Sequence, residues 1–296
     1  MKPRLTLISP GSPLSLTKTN VKKLDSAVNK LGYSSDYGKF QMHQDRFLAG
    51  SDKERVAQIM NAFCDKKTDV IMAIRGGWGC ARILDKLNWE TIKKHPKPLV
   101  GFSDVTTLQN AMIVKAGLAS ITGFVAKFWL NKTGSLTQES LAHVLAGEGV
   151  ILEGLTGMTH GKATGKIIGG CLSSFEGLIG TSYMPKPQGK ILLLEEVGEE
   201  PYVVDRMLTH LRNAGIFDAV NGIVLGEFYQ CVPAVHNKAD GTINQVLQEQ
   251  FGKLKIPVVC GVPYTHAPNG VVLPFGTKTL VDADKGIIRI DGLIKK

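Results

Sequence analysis

The sequence has no apolar run long enough to cross a bilayer; no window approaches the roughly 18 residues needed. Its start, MKPRLTLISPGSPL, is basic, but the apolar run stops after about five residues, at Ser9-Pro10. A secretory core needs roughly seven to fifteen. The expectation is a soluble and, by default, cytoplasmic protein with no membrane partner. There is no C-x-x-C pair. The five cysteines, Cys64, Cys80, Cys171, Cys231 and Cys260, are odd in number and far apart. That argues against a disulfide framework and against a zinc site, and they read as buried thiols. No P-loop or G-x-G-x-x-G spacing is present. No basic tail is present either. The net charge of +9 comes from scattered residues, so nucleic acid is not the expected partner. A generally basic surface suits a small anionic substrate.

What the chain does have is length, glycine and alternation. Its 296 residues, 43% of them hydrophobic, suit two domains with sizeable cores. Its 33 glycines imply many turns or close backbone approaches. In the first half, strand-like runs alternate with helical periodicity. LTLIS (5–9), DVIMAI (69–74) and KPLVGF (97–102) read as buried strands. Between and after them, helices are expected over 20–31, after the capping box Ser51-Asp-Lys-Glu54, over ARILDKL, and from Asp104 to a stop at Gly117. This βα alternation predicts an α/β fold: a parallel sheet with helices on both faces.

The organisation then changes. Residues 136–162, which run into LEGLTGMTHGKATG (152–165), dense in Gly and Thr, read as a linker or crossover between domains 1–135 and 163–296. Beyond it, GGCLSSFEGLIGT reads as a turn and a helix. KILLL (190–194), GIVLGEF (222–228) and IPVVCG (256–261) read as strands, and Pro201 opens a helix. Short β-like pieces close the chain, so the second domain is expected to be α+β and β-rich.

Four signals share one address, just after buried strands, where open α/β sheets place their sites. Ser103 in VGFSDVT is either a nucleophile at a strand–helix elbow or, with Asp104, only the cap of the next helix. Arg75-Gly76-Gly77-Trp78-Gly79 is either a tight turn or a set of bare N–H groups for an anion. Glu195 and Glu196 end a buried strand, where one carboxylate could orient a histidine or both could be solvated. His266, in GVPYTHAPNG, lies in a Pro/Gly loop after a strand, as a positioned base or a turn residue. The other six histidines fall in helical or polar contexts and read as surface.

Along nearly its full length the chain resembles the murein LD-carboxypeptidases, serine peptidases of bacterial cell-wall recycling. The likeness runs through ISPGSP, FLAGSDKERVAQIMNAF, DVIMAIRGGWGCARILDKL, PLVGFSDVTTL, GKIIGGCLSSFEGLIGT, ILLLEEVGEEPYVVDRMLTHLRNAG, GIVLGEF and GVPYTHAPNGVVLPFG, in that order. The resemblance implies a flavodoxin-like or amidotransferase-like N-terminal domain, a smaller β-rich C-terminal domain, a site at their interface and a homodimer. It implies a triad of Ser103, Glu195 and His266, an oxyanion hole from the N–H groups of Gly77 and Asp104, substrate contacts at Arg75 and Trp78, and no metal or organic cofactor. The implied substrate is a murein tetrapeptide cut between meso-diaminopimelate and terminal D-Ala. Its free carboxylate requires an anchor that the sequence does not identify. The chain departs from the family pattern in three places. Trp78 replaces a tyrosine, Thr122-Gly123-Phe124 stands for His-Gly-Pro, and Gly169-Gly170-Cys171 stands for Gly-Gly-Asn. Phe124 and Cys171 are therefore expected to alter substrate fit or loop shape. The rival readings are a microcin-immunity-type peptidase acting on peptidyl or aminoacyl nucleotides, a non-catalytic binding protein of this fold, and a glutamine amidotransferase, which would need cysteine at position 103.

Overall fold

A computed structural model describes residues 2–38, 44–131, 133–233 and 241–293. His43 and His236 lie outside these described residues. The first half supplies β1 (Arg4–Ile8), α1 (Lys18–Lys30), β2 (Ser34–Asp36), α2 (Asp52–Cys64), β3 (Val70–Ala73), α3 (Trp89–Lys94), β4 (Leu99–Gly101), α4 (Val105–Ala116) and β5 (Ser120–Thr122). The crossover region carries α5 (Ser135–Leu145), β6 (Val150–Leu152) and β7 (Thr156–Gly157). The remainder supplies β8 (Lys162–Cys171), α6 (Leu172–Glu176), β9 (Lys190–Val197), α7 (Pro201–Asn213), α8 (Ile216–Ala219), β10 (Gly222–Tyr229), α9 (Ile243–Phe251), β11 (Val258–Cys260), β12 (Leu273–Phe275), β13 (Lys278–Asp282) and β14 (Ile287–Ile290). Among the described residues no helix is long and apolar enough to cross a membrane.

The strands form two sheets, ordered β12-β5-β4-β3-β1-β2 and β6-β14-β13-β8-β9-β10-β11-β7. Strands β1 to β5 pair in parallel and β12 joins the edge antiparallel, opposite β5. In the second sheet β8 to β11 are parallel, flanked by antiparallel β13, β14 and β7. The expected α/β architecture with a β-rich second unit is what folds. The reason is in the strands: β3 and β4 are apolar and buried at every position, as strands covered on both faces must be.

Local chemistry sets the helix ends. Ser51 and Glu54 close a reciprocal capping box, with Ser51 N–H donating to Glu54 Oε2 at 2.7 Å and Glu54 N–H donating to Ser51 Oγ at 3.3 Å. Pro201 occupies the first turn of α7, where its missing N–H costs nothing. Helix α4 differs. Its residues from Val105 to Met112 are all buried, because one face meets the first unit and the other meets β8 and α6. Asn110 there donates to Gly169 O at 2.8 Å and accepts from Gly169 N–H at 3.2 Å, knitting the two units together.

Two elements differ from their sequence reading. KATGKIIGGC is a ten-residue strand, β8, rather than a loop and a turn. Its glycines mislead because they answer to contacts. At Gly169 and Gly170 φ is +105° and +110°, and a Cβ would lie 2.1 Å from Leu193 O and 2.7 Å from Thr106 Oγ1 respectively. Close approach of β9 and α4 excludes side chains there. The stretch Cys80–Lys86 is a 3₁₀ turn instead of an α-helix. It is held between Gly79, at φ +131°, and the packed α2 and α4.

Candidate active site

Strand β4 ends at Gly101 and α4 starts at Val105, leaving three residues to reverse direction. Ser103 takes the strain, with φ +62°. A left-handed conformation costs an L-residue roughly 1–2 kcal/mol. Glycines give the elbow room: a Cβ on Gly76 would lie 2.8 Å from Ser103 Cβ, and one on Gly101 would lie 2.3 Å from Val105 Cγ1. The cap reading of this segment is overturned. Asp104 stands at the N-cap position but makes no side-chain cap bond. Its buried carboxylate instead accepts the Cys80 N–H at 2.9 Å. Burial raises its pKa, and the N–H donors of Cys80 and Gly79 partly offset this. Ser103 Oγ has no hydrogen-bond partner among the described residues.

His266 faces this elbow. Its ring lies against Phe102, the residue before Ser103, with centroids 4.3 Å apart. Phe102 is in turn wedged edge-on against Tyr264 at 5.2 Å. His266 Nδ1 lies 2.8 Å from Glu195 Oε2. A carboxylate only accepts, so Nδ1 is the donor to it, and in the neutral ring Nε2 is then the acceptor. Nε2 is buried and has no partner among the described residues. Glu195 is fully buried at the end of β9. Burial raises its pKa, against the opposing effect of His266. Glu196, its neighbour, is not solvated either. It accepts from Ser173 N–H at 2.8 Å and from Val197 N–H at 2.9 Å, fixing the start of α6. The two carboxylates thus serve different donors, as alternation along a strand dictates.

The loops after β1 and β3 close one side. Ser12 N–H donates to Gly76 O at 2.9 Å, and Trp78 N–H donates to Ser12 Oγ at 3.1 Å. Gly77 has φ +85°, and a Cβ there would fall 2.3 Å from Ser12 Oγ, so only glycine fits. No acceptor among the described residues takes the N–H of Gly77 or of Asp104. Arg75 donates to Pro13 O at 2.8 Å. Lys127 donates its backbone N–H to Ile74 O at 2.8 Å, on the peptide that leads into Arg75. Neither cation has a carboxylate partner among the described residues, and Lys127 has its pKa lowered by burial and by Arg75. Trp78 is 49% exposed and meets the edge of Phe47, itself 51% exposed, at 5.5 Å. Sequence reasoning missed Ser12, Phe47, Phe102 and Lys127. Ser12, Phe47 and Phe102 lie within ISPGSP, FLAGSDKERVAQIMNAF and PLVGFSDVTTL but were not singled out, because each acts through a neighbour brought by the fold.

The departures are also placed. Phe124 is fully buried and packs on Trp129 at 4.9 Å and Phe128 at 5.7 Å. It is core, so of the two expectations, substrate fit or loop shape, its packing bears on the shape of the segment that follows β5. Cys171 is buried beside the two carboxylates, its thiol directed to Glu196 Oε1 at 3.7 Å. Burial, with Glu195 and Glu196, pushes that thiol well up, so it is an inert neutral donor.

A strained strand–helix elbow faced by a carboxylate-held histidine makes this an α/β protein with a hydrolase-type site. Residues 5–123 match the model of the LD-carboxypeptidase N-terminal domain, and residues 164–281 match that of the LD-carboxypeptidase C-terminal domain. A Bacillus subtilis protein designated a probable murein peptide carboxypeptidase is 31% identical over 93% of this chain and 88% of its own. The crystal structure of a muramoyltetrapeptide carboxypeptidase from Oxalobacter formigenes superposes with TM-score 0.88 at 26% identity, covering 98% of this chain and 99% of that one. The microcin C7 self-immunity protein MccF shares the fold, with TM-score 0.89 at 23% identity over 99% of this chain and 98% of its own. The chain belongs to the LD-carboxypeptidase family and is a peptidase.

Proposed function

We propose that the chain is a serine LD-carboxypeptidase that releases terminal D-Ala from murein tetrapeptide, at the bond after meso-diaminopimelate. The observation that carries this reading is the buried Nε2 of His266, without a partner among the described residues, on a ring held by Glu195 and packed against Phe102, the residue before Ser103. In this mechanism Nε2 takes the Ser103 proton as Oγ attacks the peptide carbonyl. Glu195 holds the imidazole tautomer and offsets the imidazolium charge. The free N–H groups of Gly77 and Asp104 receive the oxyanion, each worth about 3 kcal/mol in the transition state. The imidazolium then protonates the leaving amine of D-Ala. Water, deprotonated by the same histidine, cleaves the acyl-enzyme and regenerates Ser103. No step calls for a metal or an organic cofactor.

The uncompensated pair Arg75 and Lys127 supports an exopeptidase specificity. Arg75, the residue before Gly76, and Lys127, whose pKa Arg75 helps to lower, suit the free carboxylate that D-Ala presents. The exposed Trp78–Phe47 pair offers an apolar wall to the rest of the peptide. A soluble disaccharide-free tetrapeptide, as arises when cell-wall fragments are recycled inside the cell, fits such a site.

The test is D-Ala release from purified murein tetrapeptide, run beside an aminoacyl nucleotide. Release from the tetrapeptide alone supports the proposal. Turnover of the nucleotide alone assigns the chain to the immunity-type chemistry, and turnover of neither makes it a binding protein.

A further inference from the structure

Arg55, on α2, is among the largest fully buried side chains of the molecule, with 0% exposure. Nothing in the mechanism above uses it. Its Nη1 donates to Pro10 O at 2.6 Å and to Gly79 O at 2.8 Å, and its Nη2 donates to Asp52 Oδ1. Pro10 belongs to the loop after β1 and Gly79 ends the Arg75–Gly79 loop after β3. One guanidinium therefore grips both loops that border the elbow. Gly79 C=O and Cys80 N–H are the two ends of a single peptide group, and Cys80 N–H donates to Asp104 Oδ2 at 2.9 Å. The sequence of contacts is Arg55, peptide 79–80, Asp104, and then, one bond along the chain, Ser103. Packing leaves no slack in it. A Cβ on Gly79 would lie 2.9 Å from Arg55 Nη1, and one on Gly11 would lie 2.8 Å from Asp104 Oδ2.

Stability does not explain this arrangement. A buried guanidinium must give up its hydration, and here its Nε–H stays without a partner. Its one carboxylate, Asp52, is shared with Arg82 and Lys86. An apolar side chain of similar volume would serve packing as well. A charge does two things that an apolar group cannot. It orients the 79–80 peptide dipole, so that the N–H end points at Asp104. It also offsets the Asp104 charge, which would otherwise oppose a negative oxygen forming at the Asp104 N–H.

We propose that Arg55 is a positioning residue for catalysis, holding the loops after β1 and β3 and the Asp104 end of the elbow in the arrangement that receives the oxyanion. This rests on the serine-peptidase reading above, but its test does not need the substrate to be right. The full-length chain is made as Arg55→Lys, Arg55→Met, Asp104→Asn, the double variant Arg55→Met/Asp104→Asn, and Asp52→Asn. Each is assayed for kcat and KM on tetrapeptide, for the rate of Ser103 labelling by a serine-directed phosphonate, and for its urea midpoint.

Arg55→Met should lower kcat and the labelling rate by about 100-fold, the size of one lost oxyanion donor, with KM within about threefold of wild type. Arg55→Lys, which keeps the charge but not the fork, should recover about tenfold of that loss. The double variant should be no worse than the poorer single, because both changes act on one peptide group. Asp52→Asn should label at close to the wild-type rate. The proposal is overturned if folded Arg55→Met labels Ser103 at the wild-type rate, or if the Arg55 and Asp104 losses multiply. Should Arg55→Met fail to fold, Arg55→Lys decides alone: a labelling rate equal to wild type overturns the proposal. Wild-type labelling of Ser103 without D-Ala release would instead count against the tetrapeptide reading and leave the Arg55 comparison intact.

Discussion

Replacing Ser103 by glycine should make the protein more stable while abolishing its activity. The serine sits at φ +62°, in a conformation that costs an L-residue roughly 1–2 kcal/mol and glycine almost nothing. Against that gain stands the extra backbone freedom that glycine gives the unfolded chain, about 0.4–1 kcal/mol. No hydrogen bond among the described residues is lost, since Oγ makes none there. The balance favours Ser103→Gly by about 0.5 kcal/mol, and by a similar margin over Ser103→Ala, which keeps the Cβ and hence the strain. Unfolding entropy of about 2.1 cal/mol/K per residue over 296 residues gives about 0.6 kcal/mol/K. The shift in Tm is therefore close to 1 °C, which is at the edge of calorimetry but resolvable as a difference in urea midpoint between the two variants. Both variants should lose D-Ala release by a factor on the order of a million. Ser103→Gly melting below Ser103→Ala would refute the strained-elbow account, and D-Ala release by either at near the wild-type rate would refute the nucleophile.

Glu195→Gln should abolish turnover with little change in folding, because the amide can still accept from His266 but cannot offset the imidazolium. Glu196→Gln should keep most of its turnover and lose about 1–2 kcal/mol in urea unfolding, since its NH₂ must face the Ser173 or Val197 N–H. The reverse ranking would mean that the wrong carboxylate has been assigned. For Asp104 the sign follows from a raised native pKa: the folded state binds the proton more tightly. Stability relative to Asp104→Asn should thus fall as pH rises from the ordinary value of 3.8 through the raised one, and stay level above it. Parallel urea titrations between pH 4 and 8 check this, and a difference independent of pH contradicts it. Lys127→Met should raise KM for tetrapeptide by about fivefold, a figure held down by its partial exposure, and leave kcat unchanged. The same variant should not alter hydrolysis of an ester lacking the carboxylate, and an equal effect on both substrates would rule out the anchor.

The βα half and the addresses of Ser103, Glu195 and His266 were legible because apolar runs ending in polar or glycine residues are local signals. Strand alternation separates Glu195 from Glu196 but does not say which meets His266; the resemblance implied Glu195, and its Oε2 lies 2.8 Å from His266 Nδ1. What was not legible depends on partners distant in sequence. Strand β8 looked like a loop because Gly169 and Gly170 answer to Leu193 and Thr106. Asp104 looked like a cap because nothing local reveals that Cys80 offers its N–H. Arg55 carried no signal in the sequence, because its contacts with Pro10 O and Gly79 O are made across the fold. Phe124 was read as altering substrate fit or loop shape, and its packing with Phe128 and Trp129 could not be seen from the motif.

Strand β12 follows the His266 loop and pairs with β5, beside the strand that leads into Ser103. The loop is thereby moored to one sheet at its start, through β11, and to the other at its end. The ribosome delivers the chain from its amino end. Its serine emerges long before Glu195 and His266, and the edge that steadies the histidine is among the last pieces to arrive. On the proposed mechanism, a nascent or prematurely terminated chain would carry the elbow with no base, because Ser103 precedes Glu195 and His266 in the order of synthesis.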